Sequence, residues 1–70
     1  MIRTNDSLRI ARNIREVRVA NNLTQLEMAE TLGYTERTIR RLETSGTDNI
    51  SVINLIASKF NVSAMNILFN

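Results

Sequence analysis

The chain has no cysteine, no histidine and no proline, and only two glycines in its 70 residues. Without cysteine there is no disulfide and no thiolate chemistry, and with histidine also missing a zinc site has lost its usual donors. Imidazole acid–base catalysis is excluded as well. The seven acids are scattered, and no glycine-rich phosphate loop is present. No catalytic constellation remains, so the chain reads as a non-enzyme that needs no metal and no cofactor. No apolar run is long enough to span a bilayer, and Met1-Ile2-Arg3-Thr4-Asn5 lacks the apolar core of a signal peptide. These absences fit a cytoplasmic protein. Charge of one sign is scarce too, at a net +2. Its make-up is more informative: eight of the nine cations are arginines, and Lys59 is the only lysine. Arginine is favoured where phosphates or guanine edges are gripped by paired hydrogen bonds.

Seventy residues make one small domain, near the lower limit of what folds unaided, so every apolar face must be used. Residues 1–7 read as a polar, flexible tail and 8–70 as the domain. Asp6 or Ser7 can cap a first helix that runs to about Asn21, with Ala11, Ile14 and Val17 on its inner edge. Asn21-Asn22 ends it, asparagine being the best substitute for glycine in a left-handed conformation. Arg9, Arg12 and Arg15 step by three and wander round this helix, so most are expected in solvent.

The most informative stretch is residues 24–43. Thr24 with Glu27 three positions on is a capping box, and Leu26, Ala29 and Leu32 then recur at helical spacing. Gly33 stops that helix, and Thr35 caps a second whose Ile39 and Leu42 form a narrow buried edge. Two helices this short take their geometry from a tertiary core. Glu36, Arg37, Thr38, Arg40 and Arg41 are left outside it. A charged, arginine-rich second helix after a tight turn is the arrangement of a helix-turn-helix reading the DNA major groove. Beyond it, residues 44–49 read as a turn. Asp48 or Asn49 caps a fourth helix lined by Ile50, Ile53, Ile56, Ala57 and Phe60, Asn61 closes it, and Ser63 caps a last helix from Ala64 to about Phe69. The expected fold is all-α, five helices in one domain.

Thr24-Gln25, Met28-Ala29, Gly33-Tyr34-Thr35, Ile39 and Leu42-Glu43 resemble the lambda-repressor-like helix-turn-helix domains, the Cro/CI or XRE family. Ile53 through Ala57, Phe60-Asn61-Val62-Ser63 and Ile67-Leu68 are similar to that family's closing helices, so the resemblance covers roughly residues 8–69. It implies a five-helix DNA-binding domain with the motif in helices two and three. Three departures stand out. Asn22 replaces a usual glycine, Glu36 a frequent glutamine, and the loop after Glu43 has Thr44-Ser45 before its glycine, with neither the basic residue nor the proline that usually follow.

The resemblance implies a phosphate contact from Gln25 and an ion pair of Arg18 with Glu43 that ties the first helix to the third. Glu36, Arg37, Arg40 and Arg41 are the candidate base readers: arginine binds guanine O6 and N7 together, and glutamate accepts from a cytosine amino group. The bland alternative is a solvated face with a Glu36–Arg40 pair four residues apart. Thr24, Thr35, Thr38, Thr44, Ser45 and Thr47 can offer hydroxyls to phosphates. One of the earlier arginines of the first helix is a further candidate for the DNA backbone.

The last helix is apolar nearly all round, which on a surface helix calls for a partner. Met65, Ile67, Leu68 and Phe69 are therefore expected to form a homodimer interface. The functional expectation is a sequence-specific regulator of transcription, a repressor on an inverted-repeat operator, prokaryotic or phage-encoded and held at the nucleoid by its DNA. Two competitors share the fold. One is a protein-interaction module such as an antitoxin or adaptor, and the other is a small activator-type controller protein.

Overall fold

The computed structural model describes residues 4–70, with side chains from Asp6 onward. Five helices follow one another: α1 (Thr4–Ala20), α2 (Gln25–Leu32), α3 (Glu36–Ser45), α4 (Ile50–Phe60) and α5 (Ala64–Phe69), with no strand among the described residues. This is the lambda-repressor-like arrangement. The first helix starts at Thr4, so Asp6 and Ser7 lie inside its first turn and do not cap it. Of the expected tail, residues 1–3 lie outside the described residues.

The punctuation follows local chemistry. Asn22 and Asn61 take the left-handed conformation at φ 59° and 54°, as does Gly33 at φ 78°. Thr35, Asn49 and Ser63 each accept a backbone amide at the start of the next helix. Gly46 differs: at φ 73°, ψ −164° it occupies a region open essentially to glycine, and a Cβ there would collide with the Ser7 carbonyl. Its bareness lets the end of α3 close on the start of α1. Thr44 and Ser45, read from the sequence as turn residues, form the last turn of α3.

Ile10, Ile14, Met28, Ile39, Ile53, Ile56 and Ile67 are fully buried in one core, with α1 against α3 and α5, α2 against α3 and α4, and α4 against α5. Two expected inner positions face out: Leu26 and Ile50 are 50% and 55% exposed, each in the first turns of its helix. Met28 takes the buried place on α2 instead.

The chief correction concerns α5. Ile67, expected at a dimer interface, is 1% exposed and belongs to the core. Leu68 is half-buried against that core, which leaves Met65 and Phe69 as the exposed apolar residues of the helix, each at 63%. Three α1 side chains hold the end of α5. Asn13 Nδ2 donates to the carbonyls of Ile67 (2.9 Å) and Asn70 (3.3 Å), Arg9 Nε to that of Leu68 (3.2 Å), and Arg12 Nη2 to that of Asn70 (3.0 Å). A helix end leaves its last carbonyls without intrahelical donors, and here a neighbouring helix supplies them. Arg9 also pairs with Asp6 and lies over the Phe69 ring. Two of the three stepping arginines thus reach α5, while Arg12 and Arg15 stand exposed, as their spacing round the helix led one to expect.

Candidate nucleic-acid interface

The two halves of the motif meet at a sharp corner. Thr24 Oγ1 accepts from the Glu27 amide at 3.1 Å while the Glu27 carboxylate accepts from the Thr24 amide at 2.8 Å, so α2 starts with its first donors satisfied. After Gly33, Thr35 Oγ1 accepts from the Thr38 amide at 3.2 Å and is hydrogen-bonded to the Thr38 hydroxyl at 3.0 Å, one of the two donating to the other. Ile39 and Leu42 then turn one edge of α3 into the core.

A single carboxylate fixes α3 against both of its neighbours. Glu43 Oε2 accepts from Arg18 Nε at 2.7 Å, and Oε1 accepts from Arg18 Nη2 at 3.1 Å and from Gln25 Nε2 at 3.2 Å. Arg18 Nη1 donates to the Leu23 carbonyl at 2.8 Å, which ties down the α1–α2 connection as well. The Glu43 side chain is 4% exposed and that of Arg18 14%. Hydrogen bonding to Glu43 holds the Arg18 guanidinium above its usual pKa, burial opposing it in part. Gln25 joins α2 to this brace with one amide proton and keeps the other.

On the part of α3 outside the core, Arg37, Arg40 and Arg41 are exposed and Glu36 is half-buried. Arg9–Asp6 and Arg18–Glu43 are ion pairs elsewhere in the fold, whereas none of these four side chains has a hydrogen bond or ion pair among the described residues. The Glu36–Arg40 pair is not formed. Three guanidinium groups therefore stand free on the outward side of a helix whose inward side is anchored at three points.

The hydroxyls divide by what their protons do. Thr44 Oγ1 donates to the Arg40 carbonyl at 2.7 Å, so its proton is engaged along the helix and not presented outward. Thr24 accepts the Glu27 amide and Thr47 accepts the Asn49 amide at 3.0 Å, which leaves both hydroxyl protons free. Ser45, exposed at the end of α3, has no partner among the described residues. Thr38, Arg41 and Ser45 lie along one flank of α3 and share a groove of about 420 Å³ with Tyr34, Thr47 and Asn49. Tyr34 was not singled out by sequence reasoning. The signal was present: a tyrosine, a polar tip on an apolar ring, directly follows the turn glycine. Met65 and Phe69 lie on α5, outside the residues lining this groove.

The helix-turn-helix family profile matches residues 14–64, most of the chain. Among curated proteins, an antitoxin, PezA of Streptococcus pneumoniae, is 39% identical over 61 residues, which is 84% of this chain but 38% of that protein. The chain thus spans under two fifths of that relative's length. No solved structure matches it. With the capped α2, the turn at Gly33 and the braced α3 all inside the matched region, the chain belongs to the helix-turn-helix family, in its lambda-repressor-like form.

Proposed function

We propose that the chain is a sequence-specific regulator that binds double-stranded DNA as a homodimer on an inverted repeat and represses transcription. The observation that carries this reading is the set of three unpaired arginines on the exposed side of a helix held by Glu43. Unpaired cations turn onto phosphates or base edges without first breaking an ion pair, and a braced helix holds them at one angle. Glu36, Arg37, Arg40 and Arg41 read bases. Gln25, Thr24, Thr35, Thr38, Ser45 and Thr47 contact the backbone and set register. Met65, Phe69 and the outer edge of Leu68 join the two copies.

A second reading takes its support from the PezA likeness: the chain acts within an antitoxin, with a protein as its principal partner. Selection of bound sequences from a random DNA pool tests both. An enriched, two-fold symmetric motif is the expected result. Recovery of unenriched DNA, with no affinity above that for bulk duplex, would remove the regulator reading and leave the protein-partner one.

A further inference from the structure

We propose that the Tyr34 hydroxyl is a DNA-backbone contact, and that with Ser45 and Thr47 it cradles one phosphodiester beside the recognition helix. This rests on the DNA-binding reading and adds to it a hydroxyl to which neither the family pattern nor the charge distribution gives a role. Tyr34 follows the turn glycine, where its ring packs against the core. The ring does the work an apolar residue would do there, so the hydroxyl is surplus to packing. The residue is half-buried but its hydroxyl is not enclosed, so the ring is fixed by packing while the polar tip faces out, available to a ligand. The hydroxyl has no partner among the described residues.

The groove it lines offers donors whose protons are unspent. Ser45 has no partner among the described residues, and the Thr47 hydroxyl only accepts. Asn49 uses its Oδ1 to cap α4, which leaves its amide protons for a ligand. The single acid on the rim, Asp48, offsets the charge of Arg41, so the cradle is neutral overall and binds through hydrogen bonds. This matters because the loop has no lysine or arginine of its own between Glu43 and Lys59. Where a loop cation is missing, neutral donors arranged in a concave site can hold a phosphate oxygen.

The position selects the backbone over a base edge. Thr38, Arg41 and Ser45 recur at i, i+3 and i+7, so the groove follows the flank of α3 that faces the loop before α4. Arg37 and Arg40 do not line it. A helix lying in the major groove has a sugar–phosphate strand along each flank, and donors on a flank meet phosphates.

The test is Tyr34→Phe, which removes one oxygen and keeps the ring. Binding is measured on the selected operator, on single-base variants of it, and on duplexes in which each phosphate in turn is a neutral methylphosphonate. The expected loss is roughly three- to tenfold, the worth of one hydrogen bond. It should be equal on all base variants, with an unchanged melting temperature and an unchanged salt slope, since no charge is removed. At one phosphate per half-site the methylphosphonate should weaken wild type and cost Tyr34→Phe less than it costs wild type. Undiminished affinity, a loss that depends on the base sequence, or additive losses at every phosphate would overturn the assignment. So would inorganic phosphate shifting the Tyr34 resonances while Tyr34→Phe leaves DNA affinity untouched, because the groove would then serve a free anion. A wild-type chain that selects an operator while Tyr34→Phe is silent sinks this proposal alone, and a chain that selects no DNA sinks the regulator reading with it.

Discussion

Arg18 and Arg37 have the same side chain and opposite fates, and burial decides between them. Arg18 meets a carboxylate that is almost wholly enclosed, and removing it strands that charge. Breaking one side of such a pair costs about 3–5 kcal/mol when both partners are buried, and Arg18's partial exposure argues for the lower end. Arg18→Ala should therefore lower the thermal midpoint by ten degrees or so, since about 1 kcal/mol moves a domain this small by roughly 4–8 °C. The molecules still folded should select an unaltered motif. Calorimetry and repeat selection check the two halves separately, and an unchanged midpoint would show that Glu43 finds other donors. Arg37 anchors nothing. Arg37→Ala should leave the midpoint where it is and weaken specific binding by roughly 1–3 kcal/mol, with relaxed preference at particular base pairs. The same holds for Arg41→Ala. If both variants return the wild-type motif, the readers have been misassigned and the arginines serve the backbone alone.

Helices and their ends were legible in the sequence wherever a residue's own chemistry decides the matter. Thr24 with Glu27, Gly33, Thr35 and Asn61 each act on their immediate neighbours, so spacing alone locates them. What spacing cannot show is which side of a short helix meets the core. Leu26 lies in the first turn of α2 and is half exposed, although the periodicity placed it inside. The clasp on α5 was hidden for a related reason. Arg9, Arg12 and Asn13 are polar residues with no pattern of their own, and their acceptors are backbone carbonyls more than 50 positions away. In the site, the arginine face was readable from residue types, whereas the role of Tyr34 depends on a groove that only the folded α3–α4 loop creates. The clasp makes its own prediction. A helix of six residues has no stability alone, and α5 is held by its buried edge and by these donors. Asn13→Ala removes two hydrogen bonds, one of them buried, and should cost about 1–3 kcal/mol. Hydrogen exchange should speed up at the amides of α5 well before those of α2 and α3. Uniform acceleration through the whole chain would mean that α5 does not open separately.

At the scale of the molecule, the proposed regulator has to read a two-fold operator with one small domain. A single recognition helix covers too few base pairs to find one site, and pairing two copies multiplies the discrimination. The surface for pairing is narrower than a uniformly apolar α5 would offer, because Ile67 points inward and Leu68 is half-covered. Met65 and Phe69 remain, both 63% exposed, with Arg9 over the Phe69 ring. Such a patch favours a dimer in exchange with monomer over a permanent one, with the duplex itself helping to hold the halves together. Sedimentation across micromolar concentrations should show that exchange. Met65→Glu or Phe69→Glu would place a charge in the interface and should give a folded monomer. That monomer should lose operator affinity by far more than half, because two linked half-sites bind much more tightly than one. Ile67→Glu is the control with a different outcome: it buries a charge in the core and should unfold the chain. Half-sites in the selected motif should lie about one helical turn apart, roughly 34–36 Å, so that both recognition helices face the same side of the duplex. A wild-type chain that stays monomeric at high concentration and binds a single half-site as tightly as the pair would refute the homodimer. Met65 and Phe69 would then have to be covered by some other protein surface, which is the condition the antitoxin reading supplies.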